Sequence, residues 1–419
     1  MRCSLQQIFQ QHFGSYAQQH ALCVRERTAA RCIAECFTAA RGAHTLECPA
    51  GHVAQVQFHA CRHRSCPRCA ERPRQLWLQA QLERLLPCPH FHVVATLPHV
   101  LLPLWAFNRA ALGALLLGCV RDTLLELMAA PRLAGVRPGL LMALHTWGRN
   151  LSFHPHVHCL LSAGGVTPDG AWQHTRAGFL LPLRLLQHLL RGKLLGRLKA
   201  LLQQQRLVLP PEQPLAHWLA CLRTLYRAHW NIEVQAPYGH ARGVAVYLAR
   251  YVKGGPLPAD RPLSIDSHHL VRVPYFDHRD HQPKTLCLRV HEFIARLLWH
   301  APPARQHTVR YAGLYASAHR EQHLLARTAL GATAAATAQH EASTSALAVP
   351  SCPRCGSPLS RRFSARPPHF SGAFTLPPSP THATTEHLGP TGRSNGQPTA
   401  KAPRPQPPPY HLAAAGGGL

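Results

Sequence analysis

The apolar positions along the chain fall into two rhythms, one helical and one of strands. From residue 1 to about 45 they recur at helical spacing above Gln-rich polar faces, which predicts a small helical lead-in. Trp77, Leu78, Leu82, Leu85 and Leu86 carry the same rhythm across 71–90, until Pro87-Cys88-Pro89 breaks it. His90–Pro98 then reads as a buried strand stopped by proline, and Leu101–Leu133 as leucine-rich helix belonging to the core. A second strand runs through His154-Pro155-His156-Val157-His158 into Cys159-Leu160-Leu161 and the pair Gly164-Gly165. Val166–Trp172 is a turn into a short return strand. Residues 180–208 form one or two basic amphipathic helices, and Pro210-Pro211 separates a further helix around His217–His229. Val244–Val252 is compatible with a helix, capped by Gly254-Gly255 and stopped by Pro256. Leu270–Phe276 with Thr285–Val290 reads as a hairpin, Glu292–Trp299 as a helix, and Val309–Tyr315 closes the folded part. Beyond about 331 the chain turns Ala/Thr-rich and then Pro/Ser/Gly-rich, which predicts a disordered tail.

Charge narrows the class of partner. Forty-five Lys and Arg against 18 Asp and Glu give a net charge of +27, and such an excess points to a polyanion, foremost nucleic acid. A preference for Arg codons accounts for Arg over Lys but not for the scarcity of acids. The 15 cysteines are clustered. The N-terminus lacks an apolar signal core, and no run of about 20 apolar residues exists. The expected location is therefore the reducing cytoplasm, where clustered cysteines mean metal or catalysis more often than disulfides.

Three groups of residues carry candidate chemistry. Along a strand, residues i and i+2 share a face, so His154, His156 and His158 point the same way from a strand whose flanks are apolar. Buried imidazoles need partners, and a divalent cation suits neutral ones. The competing reading is a polar strand edge in a chain with 32 histidines. Between 46 and 70 lie Cys48, His52, Cys61 and the knuckle Cys66-Pro67-Arg68-Cys69, with Val53–Phe58 as a ribbon-like strand. A zinc ribbon offers two C-x-x-C pairs. The second cysteine of the first pair falls on Ala50, so His52 stands in, with Cys48, Cys66 and Cys69 as the other ligands and Cys61 as an alternative. Arg62, Arg64 and Arg68 between them suit a DNA backbone. Third, Tyr247 and Tyr251 stand four apart on one helical face, beside Arg250 and Lys253. Alone, such a pair is ordinarily core. Beside a histidine metal strand in a basic chain it becomes a pair of candidate nucleophiles.

Together these parts describe one reaction. A tyrosine hydroxyl with a pKa of about 10 is a poor nucleophile at neutral pH, and a cation that polarises a phosphate compensates. Attack gives a phosphotyrosyl intermediate that conserves the bond energy for rejoining. The chain resembles the two-tyrosine HUH transposases of the insertion-sequence ninety-one type. The likeness rests on His156-Val157-His158, Leu144-His145-Thr146-Trp147-Gly148-Arg149, Tyr247-Leu248-Ala249-Arg250-Tyr251 and, in that family's zinc-binding domain, Ser65-Cys66-Pro67-Arg68-Cys69. It covers about residues 30–330.

The resemblance implies an α+β fold: an antiparallel-sheet HUH nuclease core with flanking helices, preceded by a small zinc-binding domain. It implies Mg²⁺ or Mn²⁺ in the site beside a structural Zn²⁺, single-stranded DNA at element termini as substrate, and 5′-phosphotyrosine linkage in a rolling-circle-like route. Carried over, His156 and His158 are metal ligands, and Tyr247 and Tyr251 the nucleophiles. The third ligand is left among His154, Glu233 and Gln235. The expected divisions are a helical lead-in over 1–45, the zinc domain over 46–75, the nuclease over 76–330 and the tail over 331–419. The tail's Cys352-Pro353-Arg354-Cys355-Gly356 is either half of a composite zinc site or a remnant. For such a transposase the expected location is the cytoplasm, at the nucleoid. The rival readings are a metal-dependent hydrolase, for which acidic ligands are too few, and a zinc-dependent DNA-binding protein that is a catalytically decayed transposase.

Overall fold

A computed structural model of the chain describes residues 2–52, 54–148, 150–176, 181–238, 243, 246, 249, 255–277, 280–331 and 350–365. The chain forms two compact units, one from residues 1–19, 24–36 and 61–348, the other from 20–23, 37–60 and 349–419.

The larger unit is built on a six-stranded sheet of β1 (His90–Thr96), β2 (Arg137–Trp147), β3 (Phe153–Val166), β4 (Trp172–His174), β5 (Ile232–Tyr238) and β6 (Val309–Gly313). The order is β6-β2-β3-β1-β5, with β4 pairing to the far end of β3. Every pairing is antiparallel. The histidine strand β3 is thus central, held on both sides. Near its end Gly165 is required by close approach, because a Cβ there would lie 2.3 Å from the carbonyl oxygen of Arg137.

Alternation along the strands sorts the two faces. Phe91, Val93 and Ala95 of β1, Leu140, Met142 and Leu144 of β2, and Val157, Cys159 and Leu161 of β3 enter one large core. Helices Arg109–Ala129, Leu183–Gln203 and Leu215–Arg227 cover it with Leu116, Leu124, Leu190, Leu194, Leu198, Trp218 and Leu222. The opposite face carries Leu141, Ala143 and Leu160, packed with Leu85, Leu86, Tyr315 and Ala326. The same face also carries His90, His92, His145, His156 and His158, all buried.

Helices Leu5–Gln19, Val24–Glu35, Pro67–Arg84 and Val290–Trp299 belong to this unit, as does a second antiparallel sheet of Arg2–Cys3, Leu263–Ile265, Leu270–Asp277 and Gln282–Arg289. No described helix is long and apolar enough to cross a membrane. In the smaller unit Ala43–Glu47 pairs with both Ala54–Phe58 and Ser360–Ala365.

Most predicted elements stand where the rhythm put them, and the fold class is the expected mixture of helices and antiparallel sheet. Three differences are structural. The helix expected over 101–133 is interrupted: helices Leu102–Phe107 and Arg109–Ala129 meet at Asn108, whose side-chain amide donates to the Leu104 carbonyl at 2.9 Å. Strand β2 carries no strong period-2 signal, since both its faces are buried, whereas the edge strand β5 alternates Ile232, Val234, Ala236 and Tyr238 with Glu233, Gln235 and Pro237 but is short. Finally, residues 350–365 of the expected disordered tail contain a strand, because Ala43–Glu47 offers them an unpaired edge.

Candidate metal centres

The antiparallel register places His145 of β2 directly opposite His156 of β3. His158, two residues on, faces Ala143 on one side and Val94 on the other. Nitrogen atoms of His145, His156 and His158 all lie within 4.8 Å of one another, and the three side chains are buried. Trp147 stacks on His145 with ring centroids 5.4 Å apart, which gives the Leu144–Gly148 motif a role in positioning.

The hydrogen bonds around the cluster fix its tautomers. The Nδ1–H of His156 donates to the His154 carbonyl at 2.6 Å, so its Nε2 carries a lone pair. The Nδ1–H of His92 donates to Gln235 Oε1 at 2.8 Å, an oxygen that also receives the Tyr238 hydroxyl at 3.2 Å. His92 Nε2 therefore accepts from His158 Nδ1–H at 2.8 Å, and His158 Nε2 is left with a lone pair as well. These two Nε2 atoms stand 2.9 Å apart. Burial holds the His156 imidazole down at about 4, and drives His158 and His145 well below the ordinary histidine value, so none is protonated at neutral pH. Two lone pairs meeting without a proton repel, and a shared cation resolves the conflict. Adjacent ligands on an octahedral ion at about 2.1 Å stand roughly 3 Å apart, which matches. The donor set fits a divalent metal.

The structure brings His156 and His158 together, and the third imidazole of the group is that of His145. His154 shares their strand face, but its ring turns toward His99, with Nδ1 3.0 Å from that residue's Nε2. Glu233 is exposed and outside the group, while Gln235 serves one step behind it, through His92. His145 was quoted in the sequence only as part of a motif, because its contribution depends on a strand pairing that local spacing does not reveal. Tyr247, Tyr251, Arg250 and Lys253 lie outside the described residues.

The cysteines form two groups rather than one. In the larger unit Cys36, Cys61, Cys66 and Cys69 have their sulfurs within 4.8 Å of one another. Cys36 to Cys69 is 3.4 Å and Cys61 to Cys69 is 3.6 Å, close to the roughly 3.8 Å edge of a tetrahedron around zinc with bonds of about 2.3 Å. Backbone N–H groups of Arg62 and His63 donate to the sulfurs of Cys69 and Cys61. Cys66 caps the helix Pro67–Arg84 and Cys69 sits in its first turn, where the helix dipole favours thiolates. Four soft ligands with no open position describe structural zinc. The set expected from spacing, Cys48 and His52 with Cys66 and Cys69, is therefore corrected. Cys61 is a full member beside the knuckle, and Cys36, which follows the helix Val24–Glu35, completes the set. Cys48 and His52 belong to the other unit. The Cys32-x-x-x-Cys36 spacing was the one available signal for Cys36.

Of the arginines between these ligands, Arg62 is exposed. Arg64 donates to the Gln306 carbonyl at 3.0 Å and Thr308 Oγ1 at 3.2 Å, and Arg68 to Gln6 Oε1 at 2.9 Å. Both guanidinium groups thus help hold the fold locally.

Two family models match the chain, one of them a zinc-binding domain. Residues 139–323, which include most of β2 and all of β3, β4, β5 and β6, match a family model described as "Putative transposase", and residues 8–97 match one described as "Transposase zinc-binding domain". The chain is 34% identical over 328 residues to "Putative transposase y4qJ" of Sinorhizobium fredii, covering 76% of this chain and 81% of that one. It is 31% identical over 290 residues to "Transposase for insertion sequence element IS801" of Pseudomonas savastanoi pv. phaseolicola, covering 67% of this chain and 68% of the relative. No solved structure matches it. With both domains matched and relatives similar over most of their length, the chain belongs to the family of transposases of the insertion-sequence ninety-one type.

Proposed function

We propose that this chain nicks and rejoins single-stranded DNA at the ends of a mobile element through a 5′-phosphotyrosine intermediate. The observation that carries the reading is the pair of lone-pair nitrogens of His156 and His158, 2.9 Å apart on the central strand and joined by His145. Such a site asks for a cation, and phosphoryl transfer uses one. Held by these imidazoles, a divalent ion would supply polarisation of the scissile phosphate and offset the charge that builds on it in the transition state. Three nitrogen donors favour Mn²⁺ over the oxygen-seeking Mg²⁺. His92 and Gln235 hold the His158 imidazole in the tautomer that presents Nε2.

Tyr247 and Tyr251 are the proposed nucleophiles. The hydroxyl oxygen of one attacks phosphorus as its proton leaves. The bond to the 3′ oxygen breaks, and that oxygen takes up a proton as the free 3′-hydroxyl. The 5′-phosphate stays covalently on the tyrosine. Attack by a 3′-hydroxyl on this linkage reforms a phosphodiester and releases the tyrosine, and a second tyrosine allows two strands to be held in turn. Arg62, Arg250 and Lys253, within a chain of net charge +27, supply contacts to the DNA backbone at the nucleoid.

The test incubates purified protein with a pool of labelled single-stranded oligonucleotides and Mn²⁺ and recovers species that survive a denaturing gel. Covalent adducts are expected that vanish on chelation and in the Tyr247→Phe/Tyr251→Phe variant. Adducts that persist in this variant remove these tyrosines from the mechanism. Tight binding with no adduct makes the chain a zinc-dependent DNA-binding protein that has lost its chemistry.

A further inference from the structure

We infer that Cys48, His52, Cys352 and Cys355 form a second structural zinc site, which joins a loop near the start of the chain to the knuckle some three hundred residues later. The proposal does not depend on the strand-transfer reading. It concerns the smaller unit, to which all four residues belong.

The four donor atoms stand close enough to share one ion. Cys48 Sγ lies 3.5 Å from Cys355 Sγ and 3.9 Å from His52 Nδ1, and Cys352 Sγ lies 4.0 Å from the same nitrogen. All four donor atoms fall within 4.8 Å of one another. Edges of roughly 3.5–3.8 Å are expected for sulfur and nitrogen at about 2.3 and 2.0 Å from zinc. Sulfurs 3.5 Å apart are far beyond the roughly 2.05 Å of a disulfide. Three thiols and an imidazole select zinc over hard cations, and four protein ligands leave no position for a substrate.

The backbone is shaped for the same purpose. After Cys352 the chain folds back: the Gly356 amide donates to the Cys352 carbonyl and the Cys352 amide to the Ser357 carbonyl, each at 2.8 Å. Gly356 has φ +71°, which only glycine adopts without strain. The opposite loop turns between Cys48 and Gly51 through a 2.9 Å hydrogen bond, and so brings His52 back to Cys48. This turn explains why Ala50 can stand where a ribbon normally has its second cysteine: His52 fills the same corner.

Energetics give an independent argument. The three strands Ala43–Glu47, Ala54–Phe58 and Ser360–Ala365 are short. The buried apolar cluster associated with them consists of Leu46, Cys48, Cys352 and Leu359, so half of its members are cysteines. A sheet of this size with so little core needs a staple, and zinc bound by two knuckles is the staple these residues can make. Zinc binding then contributes to folding of the unit outright.

Metal analysis of the purified full-length protein by atomic emission tests this. With two ligand groups of the structural type, about two zinc ions per chain are expected. The Cys352→Ser/Cys355→Ser variant should lose half of the zinc, as should His52→Ala, in which the substituted side chain is exposed and the cysteines are untouched. His52→Cys, which keeps four soft ligands, should retain it. Co²⁺ substitution should show tetrahedral thiolate absorption that falls by about half in the first two variants. Zinc content unchanged in both, or a disulfide at Cys48 or Cys352 in non-reducing peptide mapping, overturns the proposal. Loss of all zinc in every variant, His52→Cys included, also overturns it, because the two sites would then not be separable.

Discussion

At the scale of single residues, burial sets the charge of the histidines and their neighbours set the tautomer. His90 lies fully inside, with Nδ1 2.8 Å from the Cys88 carbonyl and Nε2 2.6 Å from the Tyr315 hydroxyl, and burial pushes it down to about 4. In the unfolded chain it titrates near 6.5. The unfolded state therefore binds more protons between those values. The stability this neutral histidine confers is complete above pH ~6.5 and is lost as pH falls through ~4, to the extent of on the order of 3 kcal/mol. Urea midpoints measured from pH 7.5 to 4.5 should fall, and His90→Gln should flatten the decline; an identical decline in the variant would remove His90 as its cause. A second prediction concerns the chain Gln235–His92–His158. Removing the partner behind a metal-bound imidazole typically costs about 10–100-fold in affinity. Gln235→Leu should weaken Mn²⁺ binding by that factor in calorimetry, and His145→Ala should weaken it more. Binding unchanged in His145→Ala would leave the site to His156 and His158 without it. The alternation of His156 and His158 was legible in the sequence. His145 and His92 were not, because they reach the cluster across strand pairs.

At the scale of elements, the central sheet is secured chiefly from one side. Leu194, 1% exposed on the helix Leu183–Gln203, packs into the large core that also takes the inward side chains of β1, β2 and β3. Leu194→Ala should cost about 2–5 kcal/mol, through lost burial and the cavity left behind, and denaturant unfolding would register it as a lower midpoint with little change in slope. A cost below about 1 kcal/mol would mean that the helix collapses into the space. The basic, leucine-rich sequence of that helix was readable at once, as were β1 and β3, because each repeats one local period. Strand β2 was hidden by having both faces buried, which replaces alternation with a continuous apolar run. The Cys352 knuckle was legible as a candidate half-site, but its partners were not, since the strand beside it pairs with an edge far away in sequence.

For the whole molecule, charge and topology act together. With +27 to distribute, contact with DNA should depend on counterion release. Neutralising about six phosphates of a single strand gives a slope of about −4 in log K against log salt. Fluorescence anisotropy across a salt series checks this, and a slope near zero would assign the charge to another partner. The amino-acid sequence by itself determined the class of the molecule. The His-x-His strand, the Cys-x-x-Cys knuckle, the tyrosine pair and the excess of arginine are local patterns, and periodicity and composition suffice to read them. Tertiary structure alone decided which side chains come together as candidate metal ligands. His145 joined His156 through antiparallel register, Cys36 joined Cys61, Cys66 and Cys69, and Cys48 and His52 found Cys352 and Cys355 instead of the nearer knuckle. The physical reason is that a ligand set is a set of directions in space. Sequence spacing fixes such directions only within one turn or one strand, whereas the pairing of distant strands and helices fixes the rest.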